Sequence, residues 1–271
     1  AFMICRISRM DRLEPLYAVS LGNQIDLRIS DYLNHLKDDP AARIFAVYVE
    51  GFKPGDGYLS AKAAREILRT PGRYVVAYKS GRTPEGRLAT AGHTASVAGE
   101  YGVCRAVLEE AGVIVADSLA EFDAFVSILP ALGGRFAGGN RVGLISNAGF
   151  ECVVLSDNLK NGERLELASF SEATRKRLGE ILAPAGIDKL QDVKNPMDTT
   201  PTADDAAFAE CARAILEDPG VDCGIISPVP MTKALQTLPA GEGHAESIDS
   251  PASTPARLIE IHRATAKPLA V

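Results

Sequence analysis

Residues 43–51 read "RIFAVYVEG", a run of six apolar residues closed by a carboxylate and a glycine. Aliphatic and aromatic side chains follow one another without clean alternation, the pattern expected of a strand buried on both faces of a parallel sheet. A helical pattern occupies 57–69, and "RYVVAYKSG" (73–81) is a second strand. Before them, "YAVSLG" (17–22) reads as a strand leading to a helix through Asp31, Tyr32, Leu33 and Leu36. After them, "ATAGHTASVAGEYG" (89–102) leads to a helix over 99–111, a strand "GVIVA" (112–116) and a helix over 118–131. Such strand–helix alternation predicts a doubly wound, mostly parallel α/β fold.

Glycines in "ALGGRFAGGN" (131–140) break the pattern and mark a linker. A second round then starts with strand "RVGLIS" (141–146), the turn "NAG" and a helix from about 149 to 160. Residues 165–168 form a short strand, and "SEATRKRLGEIL" (171–182) is a helix capped by Ser171. The helix over 202–218 carries Asp204 and Asp205 where its dipole favours them. Strand 221–229 follows, then a polar stretch (237–253) expected to be mobile, a helix over 254–264 and a strand in "KPLAV".

Composition limits the function classes. Of 271 residues, 46% are hydrophobic and 24% charged, which is globular usage, and the net charge of −6 leaves no basic footprint for nucleic acid. No apolar run is long enough to span a bilayer. The five cysteines (Cys5, Cys104, Cys152, Cys211, Cys223) are scattered without metal spacing, so reduced thiols and a cytoplasmic location are expected.

Ligands of open parallel sheets collect beyond the C-terminal strand ends. Three features occupy such places. Glu50 ends strand 43–51 and is either solvated or functional. His93 lies in a long loop whose neighbours are all small, either as a solvated loop histidine or as one that must meet something bulky. The turn "SNAGFE" (146–151) is either a sterically tight strand–helix turn or a site where the main-chain N–H groups of Asn147, Ala148 and Gly149 face an anion. Lys79 and Arg82 are candidate phosphate ligands or merely solvated. His244 has weak metal spacing, and Cys152 reads as a small buried hydrophobe.

Taken in order, "VYVEGFKPGDG", "VVAYKSGRTPEGR", "AGHTASVAGEYG", "VGLISNAGFE" and "NPMD" resemble the nucleoside-diphosphate-forming acyl-CoA synthetases, the superfamily of succinyl-CoA synthetase. The resemblance runs from about Tyr17 to Val271, and its most specific part is the glycine-rich loop with its histidine. It implies two flavodoxin-like, three-layer α/β domains with mostly parallel sheets, a phosphohistidine domain at 16–133 and a second domain at 139–271. Residues 1–15 resemble the remnant helix of a preceding CoA-binding domain. By resemblance His93 is the phosphocarrier, Glu50 orients it, and Asn147, Ala148 and Gly149 bind the phosphoryl group. Thr199 and Thr200, in "NPMDTTPTADD", are assigned to the acid substrate, although this segment departs from the glycine-rich substrate loop of succinyl-CoA synthetases.

The implied activity is that of an acid–thiol ligase, interconverting acyl-CoA, phosphate and nucleoside diphosphate with carboxylic acid, CoA and nucleoside triphosphate. CoA and ATP or ADP with Mg would be substrates of the intact enzyme, none bound tightly here. An ATP-grasp domain or subunit would be a partner in a homo- or hetero-oligomer, with neither nucleic acid nor membrane. The alternative is a non-catalytic, CoA- or acyl-responsive regulatory or scaffold paralogue, which would need neither His93 nor Glu50. A flavodoxin-like FMN binder would need a Ser/Thr-rich phosphate loop after the first strand, which "YAVSLG" does not introduce.

Overall fold

The computed structural model describes residues 13–93, 100–161, 164–187 and 192–271, with the side chains of 90–93, 160 and 161 excepted. Residues 1–12, most of the segment read as a remnant helix, and 94–99, the small residues after the histidine, lie outside the described residues. The chain divides into two compact units, Ala1–Gly134 and Arg135–Val271. Each is an α/β unit whose strand pairs are all parallel.

The first unit runs α1 (Ile29–Leu36), β1 (Ile44–Val49), α2 (Asp56–Leu68), β2 (Tyr74–Lys79), α3 (Pro84–His93), α4 (Tyr101–Glu110), β3 (Ile114–Val115) and α5 (Leu119–Leu132). Its sheet order is β1-β2-β3. Successive residues of a strand face opposite sides. Accordingly Val75 and Ala77 of β2 pack with Ala64, Ile67 and Leu108, while Tyr74 and Val76 pack with Phe122, Val126 and Leu129. The result is a three-layer unit, with α1, α2 and α4 on one face and α5 on the other.

Two sequence expectations need correction here. The strand buried on both faces is β2, not β1: β1 is an edge strand, with Phe45 and Val49 buried but Tyr48 exposed. Residues 17–22 form no strand, and Tyr17 and Val19 are exposed. Leu21 packs on the core, but the segment pairs with no strand, and propensity without cross-strand neighbours does not make one.

The second unit runs β4 (Arg141–Ser146), α6 (Gly149–Asn161), β5 (Glu166–Leu167), α7 (Glu172–Leu182), β6 (Met197–Asp198), α8 (Asp205–Glu217), β7 (Cys223–Ser227), α9 (Thr254–Ala264) and β8 (Leu269–Ala270). The order is β5-β4-β7-β8, with β6 also paired to β4. Ser171, Asp204 and Ser253 cap the starts of α7, α8 and α9, accepting from the main-chain N–H groups of Thr174, Ala207 and Ala256. The stretch expected to be mobile is tied down: the Glu246 carboxylate accepts from the N–H groups of Thr237 and Leu238, and Ile248 N donates to Leu238 O.

Val142 and Leu144 of β4 join Cys152 and Leu159 in one apolar cluster. Ile145 joins the larger one, built with Leu178, Leu182, Phe208, Ile215 and Leu258 from α7, α8 and α9. On that same face Gly143 pairs with Gly224. A Cβ on Gly224 would sit 2.6 Å from Leu216 Cδ2, and one on Gly143 closer still to Ile215 Cγ2. These bare positions let α8 press directly on the sheet.

β5 and β6 both pair with β4, on successive stretches of it. The gap between them is filled by the side chain of Asn195. Its Oδ1 accepts from Leu144 N (3.0 Å), and its Nδ2 donates to Val142 O (2.6 Å) and Ala168 O (2.9 Å). A side-chain amide here replaces a missing stretch of ladder and gives partners to Leu144 N–H and to the Val142 and Ala168 carbonyls.

Because the helix α8 has no room to retreat, Gly143→Ala is expected to cost about 1–3 kcal/mol by overpacking. A urea titration followed by far-UV circular dichroism should show a lower midpoint with an unchanged slope.

The guanidinium of Arg135 donates to His262 O and Thr265 O at the end of α9 and lies 2.7 Å from His262 Nε2. An arginine only donates, so this Nε2 accepts from it and the imidazole is neutral. Burial, then Arg135, holds its pKa below the usual 6.5. Well above pH 6.5 neither the folded nor the unfolded imidazole binds a proton, and stability is unaffected. As pH falls below 6.5, the unfolded state takes up the proton first and stability is lost until the folded pKa is passed. The urea midpoint should therefore fall more between pH 7.5 and 5.5 in the native chain than in His262→Gln.

Candidate functional site

Parallel pairing in the first unit matches Val49 with Lys79 and Ala77 with Val115. Glu50, Ser80 and Asp117 therefore follow the strands along one edge of the sheet. Glu50 is half-buried, and its Oε1 accepts from the Tyr48 hydroxyl at 3.2 Å. The Tyr48 ring stacks on Tyr78, with centroids 5.9 Å apart and planes 22° from parallel. Burial, then the Glu50 charge, raises the Tyr48 pKa, so its hydroxyl remains a donor.

Lys79 is not a loop residue. It ends β2, is 1% exposed, and its Nζ donates to the main-chain carbonyls of Glu50 (2.8 Å) and Ser80 (2.5 Å). Burial pushes its pKa down, while Cys104 and Glu50 favour the ammonium. The solvated reading of Lys79 fails because the sheet edge encloses it. Arg82 lies 3.7 Å from Asp117, which also receives Arg105. With both partners largely exposed, the Arg82 pair contributes little.

The backbone around His93 also differs from the loop reading. Thr83 Oγ1 accepts from Gly86 N (3.1 Å), Pro84 takes the first helical position, and α3 continues through His93. Proline is suited to that place because its missing N–H would have no helical partner. At a rise of 1.5 Å per residue, His93 is about 14 Å along the axis from Pro84. The His93 imidazole lies outside the described residues. The described geometry thus brings Glu50 together with Tyr48 and Lys79.

In the second unit, the end of β4 meets the end of β6, with Ser146 opposite Asp198. Asn147 is fully buried, and its side chain brackets the loop after β7: Oδ1 accepts from Val229 N (2.7 Å) and Nδ2 donates to Thr232 Oγ1 (3.1 Å). Ala148 N donates to Ser146 Oγ (3.2 Å). Gly149 starts α6, and a Cβ on it would lie 3.0 Å from Asp198 Oδ2. A carboxylate therefore stands beside this helix N-terminus.

Thr199 is buried, and both its N–H and its hydroxyl bond to Ser146 O (2.9 and 3.3 Å). Thr200, at φ 59°, donates its N–H to Asp198 Oδ1 (2.8 Å) and shares a 2.6 Å hydroxyl contact with Thr202. So residues 147–149, Thr199 and Thr200 gather around the β4 and β6 ends, with Ser146 and Asp198 as partners that sequence reading missed. Cys152 is buried, as expected, and burial followed by Asp198 pushes its thiol up to about 11, so it is no thiolate nucleophile. Among the described residues no three His, Cys, Asp or Glu side chains form a group that could hold a metal, and no helix is long and apolar enough to cross a membrane.

Residues 1–129 match the family described as the succinyl-CoA ligase-like flavodoxin domain. The chain is 32% identical over 227 residues to "Acetate--CoA ligase [ADP-forming] II subunit alpha" of Pyrococcus furiosus, covering 83% of this chain and 47% of that protein. It is 32% identical over 183 residues to "Acetate--CoA ligase [ADP-forming]" of Methanocaldococcus jannaschii, covering 66% of this chain and 24% of that one. The chain thus spans about half or less of the length of these curated relatives. Among solved structures, the dinucleotide-forming acetyl-coenzyme A synthetase 1 of Ca. Korarchaeum cryptofilum, in complex with phosphate and ADP, shares the fold with a TM-score of 0.71 at 23% identity, over 93% of this chain and 49% of that one. With its parallel α/β architecture, the chain carries over residues 1–129 a domain of the succinyl-CoA ligase-like flavodoxin family, and its curated relatives are named ADP-forming acetate–CoA ligases.

Proposed function

We propose that this chain carries the phosphoryl-transfer segment of an acid–thiol ligase that interconverts acyl-CoA, phosphate and ADP with carboxylic acid, CoA and ATP. In the ATP-forming direction phosphate displaces CoA from the acyl carbon, giving acyl phosphate and free thiol. A neutral nitrogen of His93 then attacks the phosphorus, the acyl carboxylate leaves, and ADP finally takes the phosphoryl group from the imidazole. Glu50 accepts a hydrogen bond from the other ring nitrogen, fixing the tautomer and balancing the charge that develops on the ring.

The single observation that carries the reading is Glu50, a carboxylate held in a defined place at the C-terminal edge of a parallel sheet. Relatives bearing the name of ADP-forming CoA ligases add weight to it. Residues 147–149 are assigned to the phosphoryl group through main-chain N–H groups at the start of α6, where an arriving anion shares the terminus with Asp198. Thr200 is assigned to the acid substrate, with Thr199 anchoring it to β4. Nucleotide with Mg, and CoA, are assigned to other parts of the enzyme, an ATP-grasp domain or subunit among them, within an oligomer. A cytoplasmic location fits these substrates.

The test is phosphorylation of the full-length enzyme from γ-labelled ATP and Mg. An acid-labile, base-stable label is expected, lost in His93→Asn and formed about 100-fold more slowly or worse in Glu50→Gln, the scale of general acid–base and orienting effects. Label that survives in His93→Asn refutes the assignment.

A further inference from the structure

Lys79 and Tyr48 take no part in the reaction above, yet both hold Glu50. The last main-chain bond of the β1–β2 ladder runs from Ser80 N to Val49 O (3.0 Å). Beyond it the two strands are free to splay. The Lys79 ammonium bridges the next two carbonyls, Glu50 O and Ser80 O, and so clasps the strand ends one residue past the ladder. A methionine would fill the same buried volume without the cost of desolvating a charge. What distinguishes the ammonium is that it donates to both carbonyls.

The carboxylate is held separately. Glu50 has three side-chain torsions at a half-open edge, and an unheld side chain there would spread over several rotamers. Tyr48 lies two residues before it, on the same side of β1, with its ring already stacked on Tyr78. A rigid ring presents its hydroxyl to Glu50 Oε1 with little motion of its own.

We propose that Tyr48 and Lys79 are positioning residues for phosphoryl transfer: the Tyr48 hydroxyl fixes the Glu50 carboxylate, and the Lys79 ammonium fixes the main chain that bears it. The inference rests on the phosphohistidine reading, in which Glu50 orients His93. Neither residue touches the reacting atoms, and each acts only through Glu50.

The experiment uses the full-length enzyme and the variants Tyr48→Phe, Lys79→Met, Glu50→Gln and the two pairwise combinations with Glu50→Gln. The rate of label transfer from γ-labelled ATP to protein, the KM for ATP and the urea midpoint are measured for each. Each single variant should lose about tenfold or more in transfer rate, the scale of hydrogen bonds that involve a charged group, one in Tyr48→Phe and two in Lys79→Met, with KM unchanged. Added to Glu50→Gln, neither should cause a further loss, because residues acting through one group are not additive.

The exposed Tyr48 ring keeps its stacking face in Tyr48→Phe, so its urea midpoint should not move. If Lys79→Met unfolds the protein, Tyr48→Phe alone decides. Native transfer rates in Tyr48→Phe, or losses that multiply with that of Glu50→Gln, overturn the positioning role while His93→Asn still abolishes label. Label that persists in His93→Asn overturns the phosphohistidine reading and this role with it.

Discussion

Parallel pairing sends every strand of a sheet the same way, and in both units it decides where chemistry is possible. In the first unit it aligns Val49 with Lys79, so the residues just past them, Glu50 and Ser80, share one edge. In the second it aligns Ser146 with Asp198 and so gathers the "NAG" turn and the two threonines. Each sheet is built from its middle: β2 and β4 are buried on both faces, and the helices covering them leave only the strand ends open. The edges hold the polar side chains because nowhere else on these strands meets water.

Both units also show how a sheet is closed where the main chain runs out of partners. In the first unit the ammonium of Lys79 takes the carbonyls past the last ladder bond. In the second, the amide of Asn195 fills the interval between β5 and β6. Lys79 is buried and Asn195 partly buried, and the hydrogen bonds of both are directed at main-chain groups, which are costly to leave without a partner.

Much of this was legible in the chain. "RVGLIS" is a strand over 141–146, and α6 starts at Gly149 because an apolar run stops at Asn-Ala-Gly. Ser171 caps its helix as the pattern of a hydroxyl before an apolar periodicity predicts. Glu50 was legible for a similar reason: a carboxylate at the end of an apolar run falls at a strand end. The failures have physical causes. "YAVSLG" has the composition of a strand, but composition does not reveal whether a neighbour will cover it. The helix through His93 was signalled by Thr83 and Pro84, a cap followed by a first-turn proline, and the glycines after them masked it. Asn195, Tyr48 and Lys79 act on main chain or side chains that tertiary folding brings to them, and no local spacing announces that. Asp198 was quoted within "NPMD" but not linked to Gly149, because that proximity depends on β6 pairing with β4.

The two facing glycines of the second unit bear on how this sequence is free to vary. Gly143 and Gly224 stand opposite one another, and the space their missing side chains leave is occupied by Ile215 and Leu216. Volume at these four positions is therefore constrained as a sum. A larger residue at 143 is tolerable only with a smaller one at 215, and one at 224 only with a smaller one at 216. Among descendants of this chain, changes at the sheet and at the helix should arrive in compensating pairs. The strand residues would otherwise look invariant although they touch no substrate. A reader of such a family would mistake for catalysis what is only the distance between a helix and its sheet.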